Sequence, residues 1–328
     1  MKLKKIFLFT LSVFFLISCE KTPNDESVVA NLDQAVISSI AFDNSNTMWI
    51  GTDAGLFKSV SGGYKNIYFD ASKKINTLKF EKTTNVLWIG TNSGLSKLTN
   101  VSNTGEIAEK ILSSNLNCDT VKSIYIDSIP SQWFGTSKGL NRFFTNNWQI
   151  SNFKKNASGT ISAAKFEKIG VNSIASWDGD YYIATDGQFL YRCSGWDETV
   201  DAFTGATSCQ APWNGSSLTD TMNVVFVDSK NRQWMAGNNG IQSHTGHDSK
   251  ANITTYDVEL ANLRVHAVAE APNGDIWIGT ENGISIFNGT SWTTSNAVLP
   301  NNFVTAIAFD STGKAWIGTK KGLTSIEL

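Results

Sequence analysis

The eight residues "WIGTKKGL", Trp316 to Leu323, recur almost unchanged as "WIGTDAGL" from Trp49 and "WIGTNSGL" from Trp88. Looser copies start at Trp133 ("WFGTSKGL"), Tyr182 ("YIATDGQF"), Trp234 ("WMAGNNGI") and Trp277 ("WIGTENGI"), making seven. Successive copies lie about 39, 45, 49, 52, 43 and 39 residues apart, the period of a propeller or solenoid array. Upstream of each is a stretch with apolar first and fourth positions: "ISSI" from Ile37, "INTL" from Ile75, "VKSI" from Val121, "VNSI" from Val171, "MNVV" from Met222, "VHAV" from Val265 and "VTAI" from Val304. A turn rich in Gly, Asn, Asp and Pro joins the two halves, as in "DSTGKAW" from Asp310 and "APNGDIW" from Ala271.

The segments beside the turn are short, β-branched and aromatic, without helical period, so each unit reads as an antiparallel meander. The Gly near the end of the phrase turns the chain into a third strand, and "YKNIYF", "NWQISNF", "ITTYDV" and "SWTTSN" supply fourth strands. One such sheet cannot bury both faces alone, and a closed ring of them leaves only short edges. The predicted fold is therefore all-β: a seven-bladed β-propeller of four-stranded antiparallel blades. The last unit ends after its third strand, and "SVVA", Ser27 to Ala30, is expected to complete that blade.

The pattern V-x-x-I, turn, W-I-G-T-x-x-G-L resembles the two-component regulator propeller repeat, found in periplasmic sensor regions of bacterial hybrid histidine kinases and in free-standing proteins. Six of the seven copies keep the Trp, and the resemblance runs from about Ile37 onward. It implies a sensor-like propeller. The second propeller, membrane helix and kinase of those sensors are not read in these residues, so phosphotransfer is not expected of them.

Before the repeats, Met1-Lys2-Leu3-Lys4-Lys5 is basic and Ile6 to Ile17 is an apolar run, within the 7–15 residues of a signal-peptide core and short of the about 20 that span a bilayer. The run ends in Leu16-Ile17-Ser18-Cys19, which resembles the lipobox of bacterial lipoproteins. Residues 1–18 thus read as a lipoprotein signal peptide, 19–26 as lipidated Cys19 with a polar tether, and 27–328 as the propeller. The expected place is the bacterial cell envelope, lipid-anchored, on the periplasmic or outer-membrane side. A formal charge of −2 and a pI near 6.0 argue against nucleic acid. Cys193 and Cys209 are either a disulfide or two reduced thiols.

In a propeller the axis is a funnel, and the second residue of each V-x-x-I stretch would stand at its mouth. Those residues are Ser38, Asn76, Lys122, Asn172, Asn223, His266 and Thr305, all polar. Converging polar groups in a concavity suit a small-molecule site, although a merely solvated channel would have the same lining. The turns after the second strands add a rim of mixed sign, Asp53, Asn92, Lys138, Asp186, Asn238, Glu281 and Lys320. The fourth unit is the most divergent, with Gln188 in place of the turn Gly and a long connection whose Trp196, Phe203 and Trp213 could stack on a sugar or fold back on the blade.

Catalytic signals are sparse. "SHTGH", with His244 and His247, lacks companion metal ligands, and no metal or cofactor is expected. The acids Asp43, Glu81, Asp127, Asp228 and Asp310 read as turn formers. A sialidase would need converging arginines, whereas Arg142, Arg192, Arg232 and Arg264 fall at different heights. A lyase of the streptogramin-lyase type would need a His with acids nearby, for which His266 is the candidate and Glu270 too far along its strand. The expectation is a non-catalytic module binding an unknown small molecule, polysaccharide or envelope protein. The alternatives are a propeller lyase or hydrolase and a structural component of an envelope complex.

Overall fold

The W-I-G-T phrase forms the second strand of each unit, and in most units that strand is buried from end to end, as in Met48–Thr52, Ser131–Thr136 and Ile276–Thr280. Burial on both faces explains why it is apolar without alternation: every blade is sandwiched between two others. The computed structural model describes residues 31–67, 74–99, 101, 107–111, 116, 118–127, 131–144, 147–150, 169–186, 190–194, 196–197, 202–203, 209–210, 221–246, 252–295 and 299–328.

Blade 1 comprises Ile37–Phe42, Met48–Thr52, Gly55–Val60 and Gly63–Ile67, each antiparallel to the next. Blades 2 to 7 repeat the meander from inner strands Ile75–Glu81, Val121–Ile126, Val171–Trp177, Met222–Val227, Val265–Glu270 and Val304–Phe309. Six sheets have four strands; the seventh has three among the described residues, and a separate hairpin pairs Trp196–Asp197 with Ala202–Phe203. The fourth strands expected after the phrases are present at Gly63–Ile67, Asn147–Ile150, Ile253–Tyr256 and Trp292–Ser295. No helix among the described residues is long and apolar enough to cross a membrane.

Inner strands pack side by side in chain order, and the first returns to the last, so the seven blades close. At the seam Thr305 Oγ1 donates to the carbonyl of Ile37, Gly322 N donates to Ala35 O at 2.8 Å, and Ser311 N to Asn46 Oδ1 at 2.9 Å. The strand expected at Ser27–Ala30 lies outside the described residues.

What sets the blade-to-blade distance is the Gly of W-I-G-T. A Cβ on Gly51 would lie 2.5 Å from Ile75 Cγ2, on Gly90 2.8 Å from Val121 Cγ1, and on Gly135 2.6 Å from Val171 Cγ1. Gly279 meets Val304 at 2.5 Å in the same way, and Gly318 meets Ile37 at 2.6 Å. In each case the partner is the first apolar residue of the next inner strand. Blades 4 and 5 carry Ala184 and Ala236 there, packed in clusters with Met222 and Val265 respectively. The later Gly of the phrase serves the turn instead. Gly55, Gly94, Gly139, Gly240, Gly283 and Gly322 take φ of +104 to +124°, and in five of these turns the preceding Thr hydroxyl closes the loop onto that glycine's carbonyl.

The turn acids do more than shape turns. Asp310 accepts the backbone N–H groups of Thr312 and Lys314, and its other oxygen accepts the Trp316 indole N–H at 3.0 Å. Trp49, Trp88 and Trp234 donate to Asp43, Glu81 and Asp228 at 3.1, 2.9 and 2.9 Å. In blade 3 the Asp127 carboxylate accepts instead from Tyr181 Oη of the next blade. Blade 6 has Ala271 where blade 7 has Asp310, and the buried Trp277 Nε1 has no hydrogen-bond partner. An unsatisfied buried donor costs about 1–3 kcal/mol.

Two outcomes follow from these contacts. Ala271→Asp should raise stability by about 1 kcal/mol, read as a higher urea midpoint, because it supplies the acceptor that Trp277 lacks. Gly279→Ala should cost about 1–3 kcal/mol by overpacking Val304, and Val304→Ala on that background should recover part of the loss, giving a nonzero coupling in a double-mutant cycle.

Candidate functional site

Each inner strand carries a bulge at its second residue. In blade 1 Ile37 pairs with Thr52 and Ser39 with Gly51, so Ser38 is passed over. The same step passes over Asn76, Lys122, Asn172, Asn223, His266 and Thr305. A bulged residue leaves the ladder and its side chain is re-aimed. All seven line one cavity of about 450 Å³. Val36, Lys74 and Thr120, each directly before an inner strand, line it too, as does Lys320.

Most of the ring also braces the wheel. Ser38 Oγ donates to the carbonyl of Ile75 at 2.7 Å, Asn76 Nδ2 to Val121 at 3.0 Å, Asn172 Nδ2 to Met222 at 2.9 Å and Asn223 Nδ2 to Val265 at 2.8 Å. Thr305 does the same to Ile37 across the seam. Every acceptor is the first residue of the following inner strand, so these side chains satisfy carbonyls that the bulges expose. Polarity at the mouth is therefore a requirement of blade packing in its own right, before any ligand is considered.

Lys122 and His266 break the pattern. Lys122 Nζ lies 3.1 Å from Asn172 Oδ1 and 2.9 Å from Asp186 Oδ2, while its neighbour Ser123 donates to Val171 O at 3.2 Å. His266 stacks on Phe303 with ring centroids 4.6 Å apart, and its Nε2 is 3.2 Å from Glu281 Oε1. Glu281 also lies 3.6 Å from Arg264. Glu270, on the same strand as His266, instead accepts Ser229 N at 2.8 Å in the neighbouring blade. Burial pushes the His266 pKa down and the nearby Lys320 and Arg264 charges add to this, outweighing the opposing pull of Glu281, so the ring is below its ordinary value.

Of the rim residues, Lys320 alone lines the cavity, its ammonium 3.5 Å from the Phe303 ring centroid. Asp53 accepts Val36 N at 3.1 Å, Asp186 accepts Gly170 N at 2.7 Å besides Lys122, and Asn238 Oδ1 accepts Asn223 Nδ2 at 3.3 Å. Asn92 offers its backbone carbonyl to Thr120 Oγ1 at 3.3 Å, and Lys138 N bonds Thr136 Oγ1 at 3.2 Å.

The remaining candidates stand apart from this mouth. Trp196 and Phe203 are paired residues in the ladder of their hairpin; Trp213, Gln188, His247 and Cys19 lie outside the described residues. Cys193 is disulfide-bonded and sits opposite Cys209 in the strand pair. His244 is buried with Nδ1 2.9 Å from Gln233 Oε1, and no group of three His, Cys, Asp or Glu among the described residues could hold a metal. Arg142 and Arg232 lie over Trp133 and Trp234, at 5.2 and 5.0 Å from the ring centroids, Arg192 pairs with Asp180 at 2.6 Å and Arg264 with Glu281 at 3.6 Å.

Residues 31–54, 259–282 and 298–321 match the family model described as Two component regulator propeller. No curated protein matches the sequence. Among solved structures, the extracellular domain of a protein described as a hybrid two component system from B. thetaiotaomicron is 22% identical with a TM-score of 0.73, over 92% of this chain and 40% of that one. A second such domain from the same organism gives 18% and 0.67, over 91% and 39%. The chain thus spans about two fifths of the length of each. Virginiamycin B lyase from Staphylococcus aureus is 14% identical with a TM-score of 0.64, over 90% of this chain and 96% of that one. The shared feature is the propeller.

The lowered His266 pKa has a signed consequence. On acidification through the ordinary histidine range the unfolded chain takes up a proton before the folded one, so stability should fall as pH drops below about 6.5. Replacing His266 by Asn should flatten that part of the stability profile, followed by urea midpoints between about pH 7 and 5.

Proposed function

We propose that this propeller is a non-catalytic, sensor-like binding module of the bacterial cell envelope, which holds a small polar ligand, carbohydrate in character, at the mouth of its axial channel. The observation that carries the reading is convergence: seven side chains from seven different blades, each on a bulge, meet at one cavity of about 450 Å³. That volume lies within the range of about 300–1,000 Å³ typical of small-molecule pockets, and a few polar groups in fixed positions are what orient a ligand there. The hydrogen-bonded girdle holds those groups in place before any ligand arrives, which lowers the ordering cost of binding.

Location is part of the proposal. The basic start, the apolar run and Leu16-Ile17-Ser18-Cys19 support export with Cys19 as the lipid attachment point, and likeness to extracellular sensor domains is consistent with the envelope. A second reading, lyase chemistry, has one specific support in the His266–Glu281 pair, a near-neutral imidazole beside a carboxylate at 3.2 Å. No group of three His, Cys, Asp or Glu that could hold a metal accompanies it among the described residues.

Thermal-shift screening against oligosaccharide fragments is the direct test. A ligand should raise the melting temperature with no product formed. The rise, measured against each variant's own baseline, should shrink in the Asn172→Ala/Asn223→Ala double variant. A full rise in that variant rejects the channel mouth, and turnover lost in His266→Ala would favour the lyase.

A further inference from the structure

The wall of the channel mouth is lopsided in charge. Lys74, Lys122, Lys320 and His266 line it, and no carboxylate does among its described lining residues. The acids of the same face are committed elsewhere. Asp186 is held by Lys122 and Gly170 N, Glu281 by His266 and Arg264, and Asp53 by Val36 N. Lys122 is thereby neutralised at 2.9 Å. Lys74 and Lys320 have no carboxylate partner among the described residues.

These two lysines share one sector. Lys320 is in the turn of blade 7 and Lys74 immediately precedes the inner strand of blade 2, so they flank blade 1, whose Val36 and Ser38 complete the wall between them. Lys320 is held over the Phe303 ring, whose face favours a cation and limits the wandering of a flexible chain. The rest of the mouth is of another kind. Ser38, Asn76, Asn223 and Thr305 donate to neighbouring carbonyls and keep their oxygens as acceptors for a guest, while Asn172 Oδ1 is taken by Lys122. Acceptors suit hydroxyl groups, which donate, and repel a bare anion; the lysine pair does the reverse.

We infer that the mouth takes a sugar acid: a small polyhydroxylated molecule whose carboxylate lies between Lys74 and Lys320 and whose hydroxyls meet the amide and hydroxyl oxygens of the ring. The inference rests on the channel-mouth reading above and narrows it from polar to anionic ligands. The positive sector draws the carboxylate in, and the oxygens of Asn76 and Asn223 select for the hydroxyl groups that accompany it.

The test uses the mature chain, with β-1,4-linked diglucuronate and neutral cellobiose as paired probes in titration calorimetry. Diglucuronate should bind at least about ten-fold more tightly than cellobiose, and its affinity should fall as salt rises from about 0.02 to 0.5 M. Lys74→Gln/Lys320→Gln should weaken diglucuronate about ten-fold, the double Arg variant should retain it, and Lys321→Gln, on the same turn but outside the wall, should leave it unchanged. Equal binding of the two sugars, weakened alike by Asn172→Ala/Asn223→Ala, overturns the charge assignment and leaves the channel-mouth reading standing. Diglucuronate binding that survives both the Lys and the Asn variants overturns both. No diglucuronate binding at millimolar concentration overturns the sugar-acid assignment.

Discussion

The wheel depends on an atom that is absent. Where W-I-G-T strands face the next blade, the Gly has no Cβ, and the first Val or Ile of the following inner strand occupies that space. At those five joints a Cβ would press on the β-branched side chain opposite, because neighbouring sheets are packed at interior density. The same contact joins Gly318 to Ile37, so the seam between last and first blades is built like every other joint. Two joints hold a methyl group there instead, Ala184 in one cluster with Met222 and Ala236 in one cluster with Val265.

Close approach of the blades creates a second problem, to which the channel mouth is the solution. The bulge that lets each inner strand bend away from its partner strips ladder bonds from the carbonyls at the strand start. Five of the seven bulged side chains repair the loss by donating across to the next blade. Structural bracing and ligand presentation thus draw on the same residues, and polarity alone does not separate the two uses. Lys122 and His266 make other bonds, and Lys74 and Lys320 carry charge that no joint needs.

Blade number, order and most fourth strands were legible because each repeat states its own strand–turn–strand grammar. The bulge was legible too, in retrospect. Apolar residues at first and fourth positions fall on opposite faces of a regular strand, yet Ile37 and Ile40 pack into one cluster, as do Val121 and Ile124, since one skipped residue reverses the parity. Other features were hidden for physical reasons. The indole–carboxylate bond joins residues six or seven apart, which a local reading takes for a turn signal alone. His266 and Glu281 lie on different strands and meet only once the sheet is formed. Lys74 was missed because the residue before the strand, unlike the second within it, has no fixed chemistry from blade to blade.

The bulged ring has a consequence for how such wheels diverge. Since the skipped residue takes no part in the ladder, its identity can be exchanged without shifting the register of any strand. Serine, threonine, asparagine, lysine and histidine already stand at equivalent places in this one molecule. The scaffold therefore behaves as a socket with seven interchangeable pins, and descendants of one ancestral ring can acquire new tastes in cargo while their architecture stands still.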